Sequence, residues 1–230
     1  MTVAPETIAI GASLFVLTGL LGGLFARGVA QYLRTDSRSG LPWTAGLGLA
    51  AAAMGIEAVV YAGAVSGPLL QAYVFLSAAI VGVLSLGATR ALARPRLAEI
   101  YTVYTLAACA AVAAACAVTP LDASMVAGGI IAGNPPLLLL VLSSLVTIPA
   151  TVLLLSATVL SLRRSGRWQT LMLAAGALIL GAGGAFYIAA FPIALYYAEF
   201  LGIVLLFVGL VRLPTTARHE APAGAATRSP

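Results

Sequence analysis

The chain contains no lysine; all twelve of its basic residues are arginine. It has one histidine, His219, and two cysteines, Cys109 and Cys116. Charged residues make up 8% of it, against roughly a quarter in soluble domains. Each shortage excludes a chemistry. One histidine cannot pair with a second to hold haem or to build a two-histidine metal site. With no lysine there is no Gly-rich loop ending in Lys-Ser or Lys-Thr, so a P-loop is excluded. No serine in the apolar part has a histidine base, which leaves a Ser–His hydrolase unsupported. No paired aspartates suit a metal-dependent lipid transferase. The cysteines are seven apart on one helix face, with about 10.5 Å of rise between them, too far for a disulfide. They read as small residues in a helix interface. No enzymatic activity and no cofactor are expected.

What is abundant is apolar. Of the 230 residues 61% are hydrophobic, and the mean hydropathy is +1.06. A soluble protein of this length would need more polar surface than the sequence can supply. A chain solvated by lipid needs runs of about 20 apolar residues. Seven such runs can be drawn, at 7–26, 43–66, 68–89, 99–119, 136–161, 168–190 and 194–213. The expected fold is all-α: one multi-pass domain over 1–213, a bundle of seven transmembrane helices in the cytoplasmic membrane of a prokaryote. Residues 214–230 have no apolar period and read as a disordered tail. The first run is preceded by Glu6 and followed by Arg27, the reverse of a signal peptide, so it reads as a retained span.

The net charge of +5 does not point to nucleic acid, because the arginines form no single stripe. They stand in the breaks after spans 1, 3, 5 and 7: Arg27, Arg34 and Arg38; Arg90, Arg94 and Arg96; Arg163, Arg164 and Arg167; Arg212 and Arg218. The alternate breaks have none. The positive-inside rule then puts the N-terminus outside and the C-terminus in the cytoplasm.

Two stretches echo each other. "RSGLPW" (38–43) precedes span 2 and "RSGRW" (164–168) precedes span 6. Tyr61 and Pro68 follow the first as Tyr187 and Pro192 follow the second. This reads as a parallel duplication, three spans plus one plus three, or as coincidence among residues that membrane interfaces favour anyway. Parallel repeats occur in transporters. The layout resembles two seven-helix types, the SWEET sugar transporters and the microbial rhodopsins. The Pro-Gln signature of the first is absent, and without lysine the covalent retinal of the second cannot form. The likeness is one of architecture, which does not carry function.

Glu57 stands inside span 2, about 4–5 Å to the outer side of its centre, and Glu199 about 7 Å to the outer side in span 7. Tyr61 lies one turn beyond Glu57, and Tyr196 one turn before Glu199. Gln71 and Tyr73 enter span 3 on the outer side, and Tyr187 leaves span 6 there. Opposite, "GAGGA" (181–185) permits close backbone approach. These residues together would form a polar pocket in the outer half of the membrane. Ionisable groups inside a membrane are functional by default. The expected role is therefore a small transporter or a proton or ion pathway using Glu57. The alternative is a non-transporting component, an accessory subunit or a sensor of an apolar ligand, with a protonated Glu57 donating an interhelical bond. The expected partners are the lipid bilayer and a small ion or proton, with no nucleic acid.

Three further readings are local. Glu99, near the start of span 4, is favoured there by the helix dipole. Tyr101 and Tyr104 fit an inner aromatic belt. Pro149 frees a backbone carbonyl inside span 5, which Thr147 or Thr151 could partner, giving a hinge or only a kink. The inner halves of the spans read as almost wholly apolar, so either a path closes there at a hydrophobic gate or there is no path.

Overall fold

Proline and glycine set the helix ends. The computed structural model describes residues 5–35, 41–92, 95–127, 129–131, 133 and 135–165, with helical fragments at 171–172, 175–176, 178–179, 198 and 201–205. Five long helices result: α1 (Pro5–Thr35), α2 (Leu41–Tyr61), α3 (Gly67–Leu92), α4 (Pro95–Val118) and α5 (Leu137–Ser165). Pro5, Pro42, Pro68 and Pro95 stand at the first or second position of their helices, where a missing N–H breaks no intrahelical bond. α2 stops at Tyr61, and Gly63 follows with φ +96°, a left-handed turn that favours glycine. Span 2 therefore ends five residues before the expected 66. α1 errs the other way and runs nine residues past 26. The apolar run marks where lipid ends, whereas Arg27, Gln31 and Arg34 continue the helix with good propensity.

All five helices are long and apolar enough to cross a membrane, as a multi-pass membrane protein requires. Spans 168–190 and 194–213 and the tail 214–230 lie almost wholly outside the described residues. Of the second half of the expected repeat only span 5 is described, as α5.

α3 is the central helix. Half of its apolar window is buried, against 22–33% in the other four, and it contacts α2, α4 and α5. Apolar side chains gain nothing by leaving lipid, so helix association in a bilayer depends on close packing. α2 and α3 meet antiparallel in a register repeated along their length. Trp43 lies on Gly87, where an added Cβ would stand 2.5 Å from its Nε1. Leu84 fills the notch at Gly46 in the same way. Further along, Glu57 meets Tyr73. α1 packs antiparallel on α2, with Gly28 beneath Thr44 and Gly11 beneath Tyr61. The up-and-down course gathers Arg27, Arg34, Arg90, Arg96 and Arg163 towards one end of the bundle, called the arginine end below.

The opposite end is closed by the α4–α5 connection. After Val118 the chain makes a 3₁₀ turn, Ala123–Met125, and a short antiparallel hairpin. Strand β1 (Val126–Ala127) pairs with β2 (Ile130–Ile131), Val126 opposite Ile131. Asp122 caps the turn, accepting from the Ser124 N–H at 2.9 Å and from the Ser124 hydroxyl. The side-chain bond first, then the backbone one, holds its carboxyl below the usual carboxylate range. Leu121, Met125 and Ile131 turn inward and are buried with Val60, Leu70 and Leu139. The connection thus plugs the bundle instead of running across its surface.

α5 shows how a helix tolerates an internal proline. Pro149 cannot donate to the Leu145 carbonyl four residues earlier. The Tyr104 hydroxyl of α4 donates to that carbonyl at 2.6 Å. The freed group is satisfied across helices, and neither Thr147 nor Thr151 takes the expected part. Tyr104→Phe is expected to lower stability by about 1 kcal/mol. Pro149→Ala restores an N–H donor, so in that background Tyr104→Phe should cost little. Unfolding midpoints of the two single variants and the double variant measure the coupling. An equal loss in both backgrounds would show that Tyr104 acts elsewhere.

Candidate functional site

Glu57 lies one turn before the end of α2 at Tyr61 and points into the bundle: its exposure is 0%. Because α2 ends at Tyr61 and is centred at Ala51, Glu57 lies about 9 Å from the helix centre. That is further toward the hairpin end than the 4–5 Å expected. Tyr73 of α3, 6% exposed, donates its hydroxyl to Glu57 Oε1 at 3.1 Å. Such interhelical bonds contribute about 0.6–2 kcal/mol.

The other residues of the expected pocket do not all converge. Gln71 lies two residues before Tyr73 and so on a different face of α3. Its Nε2 donates to the Thr119 carbonyl at 2.9 Å, tying the start of α3 to the end of α4. Tyr61 is on the α1 side of α2. Its ring covers Gly11, where a Cβ would stand 2.8 Å from Cε1, and its other edge faces Gly129 of the hairpin turn. Tyr61 therefore wedges the hairpin against α1. Glu199, Tyr187 and Tyr196 lie outside the described residues. Ile203, four residues after Glu199, is buried in an apolar cluster with Leu14, Leu17 and Met54.

Glu57 and Tyr73 are enclosed on two sides. Toward the hairpin end lie Val60, Leu70, Met125 and Ile131, in one buried cluster with Tyr73. Toward the arginine end the same cluster continues through Val74, Ala78 and Val112. A carboxyl held in this way can exchange a proton only when one of these layers parts. The hairpin had a legible signal, Gly128-Gly129 between β-branched residues, but its inward-facing residues did not.

Past the apolar layer the interior becomes polar again, contrary to the expected apolar inner halves. The Ser85 hydroxyl donates to the Gly82 carbonyl at 2.6 Å and lies 2.7 Å from the Tyr101 hydroxyl. Thr89 donates to the Ser85 carbonyl at 2.7 Å. Thr105, 2% exposed, stands one turn from Tyr101. Tyr101 also stacks on Tyr104 with ring centres 6.1 Å apart. It thus faces α3. Single serines and threonines in apolar helices carry no mark of which face they occupy, so this group had no sequence signal.

A recess of about 430 Å³ opens elsewhere, at the arginine end, lined by Arg90, Pro95, Ala98, Glu99, Thr102 and Val103. Glu99 is exposed on its rim. The recess is distant from Glu57 and presents both charge signs. No known protein family, no curated protein and no solved structure matches this chain.

Proposed function

We propose that the chain is a seven-span protein of the cytoplasmic membrane, N-terminus outside, that conducts protons or a small ion through Glu57. The observation that carries this reading is a carboxyl with no exposed surface inside a span-length helix. α2 contains no basic residue. The hydrogen bond to Tyr73 could be accepted by an uncharged side chain, at lower cost in lipid. The hairpin end is the outer one in this reading, because the arginines gather at the other. Spans 6 and 7 would complete the bundle beside α1 and α2, in keeping with the burial of Ile203 against Leu14 and Met54. Glu199, one turn from Ile203, would then lie at a depth near that of Glu57.

The enclosed state of Glu57 also favours a second reading, a non-transporting accessory subunit or lipid sensor in which Glu57 joins helices. One experiment separates them. Purified protein is placed in liposomes holding a pH-sensitive dye, and a pH step is applied with an imposed membrane potential. Wild type is expected to carry protons, and Glu57→Gln to slow the flux by at least about tenfold, a barrier change of ~1.4 kcal/mol or more. Equal flux in both would route conduction around Glu57 and leave it the joining role; flux in neither removes the uncoupled proton path.

A further inference from the structure

Thr105 occupies the middle of the bundle, where three helices cross. A Cβ on Gly82 of α3 would stand 3.1 Å from Thr105 Cγ2 and 2.9 Å from Val146 Cγ1 of α5. The Thr105 hydroxyl is buried and has no hydrogen-bond partner among the described residues. Helical serines and threonines ordinarily avoid this by bonding back to the carbonyl four residues earlier. Thr18, Thr89, Thr102, Ser144 and Ser156 all do so here. Thr105 has the same option at the Tyr101 carbonyl, yet its hydroxyl is turned elsewhere. A buried hydroxyl without a partner is costly where no bulk water reaches. Such a group calls for a partner of its own.

The neighbouring polar atoms say what that partner is. Ser85 donates to the Gly82 carbonyl, so the Tyr101 hydroxyl is the donor in their 2.7 Å pair. Ser85 and Tyr101 lie one turn from Thr105 toward the arginine end, and Thr89 lies a turn beyond Ser85. These four side chains are neutral hydroxyls; the protons of Ser85, Thr89 and Tyr101 are already donated, so these three offer lone pairs, while Thr105 can both donate and accept. They offer no charge to a cation or an anion, and they suit water, which needs two to four such partners.

We infer that Thr105 and the Ser85–Tyr101 pair form an internal water-binding station. It supplies the arginine-end half of the path proposed for Glu57, and this second clause rests on that proposal. Between the level of Tyr73 and that of Gly82, about 13 Å along α3, lie Val74, Ala78 and Val112. The two polar stations are thus separated by an apolar layer, which must part for a proton to pass. At the station the Thr105 hydroxyl accepts an excess proton from a hydronium on a lone pair and hands its own proton to a second water, which becomes the hydronium. No group there gains or loses net charge.

The experiment uses the full chain in bilayers. Magnetisation transfer from water, read by solid-state NMR, is expected to build up at Thr105 and Ser85 about tenfold faster than at buried Val112. Build-up at Thr105 as slow as at Val112 overturns the station. The unfolding midpoint supplies a second readout, whose sign decides. A dry, unpartnered hydroxyl replaced by a methyl gains stability, so a higher midpoint for Thr105→Val also overturns the inference. The expected result is a lower midpoint for Thr105→Val and an unchanged one for Thr105→Ser. In the flux assay Thr105→Val should slow conduction about tenfold, while Thr105→Ser keeps it. If Glu57→Gln stops flux and Thr105→Val does not change it, the path through Thr105 falls while the role of Glu57 stands. If wild type does not conduct, the path falls with the proposed function, and the NMR result alone decides the water site.

Discussion

Gly82→Leu is expected to destabilise the bundle by about 1–3 kcal/mol or more, the range for an overfilled interior. The added carbons enter a crossing of three helices, where even a Cβ would stand 2.9 Å from Val146 and 3.1 Å from Thr105. Val146 is β-branched and held to one rotamer in a helix, so it cannot swing aside. The helices themselves must separate, and α3 is the one that contacts α2, α4 and α5. Loss should be graded from alanine to valine to leucine. Gly22→Leu is the control. Nothing lies within 4 Å of a Cβ there, and leucine is the better helix former by up to about 1 kcal/mol. Unfolding midpoints in mild detergent, with yields of folded protein, check both. Equal loss at the two glycines would mean that the crossing is looser than the contacts imply.

Ile131→Ala should act on access instead of on the bundle. Ile131 has 0% exposure, and such truncations cost about 2–5 kcal/mol when fully buried. That is large against a two-stranded hairpin, which is marginal by itself. The hairpin is therefore expected to lift while the five helices stay folded. Glu57 should then react with a water-soluble carbodiimide at least about tenfold faster, since each 1.4 kcal/mol changes an opening equilibrium tenfold. Peptide mass spectrometry reads the labelling, and far-UV circular dichroism confirms that the helices persist. Unchanged labelling with a lifted hairpin would place the barrier to Glu57 elsewhere.

The sequence made the helices legible and left their rotation hidden. Apolar runs gave five segments that overlay α1 to α5, because lipid permits few polar residues within a span. The ends slipped where helix and lipid boundary differ, as from Arg27 to Thr35 in α1. Glu57 was legible as a charge in the wrong solvent, and Tyr73 as a neighbour of similar depth. That Gln71 serves α4 and Tyr61 serves α1 depended on which way each helix faces, and an apolar helix surrounded by lipid has no polar side to reveal this. The carbonyl freed by Pro149 was foreseeable from one residue type. Its partner was not, because Tyr104 arrives from another helix.

The rungs between α2 and α3 have a consequence for how this chain can change over generations. Eleven residues separate Gly46 from Glu57, and eleven separate Tyr73 from Leu84. Eleven residues make about three turns, so both rungs lie on one side of each helix. Losing a single residue from either stretch would turn one rung by about 100° relative to the other. The notch at Gly46 and the carboxyl at Glu57 could then no longer both find their partners. Substitutions can accumulate along this seam, but heritable changes of length are confined to the turn at 62–66.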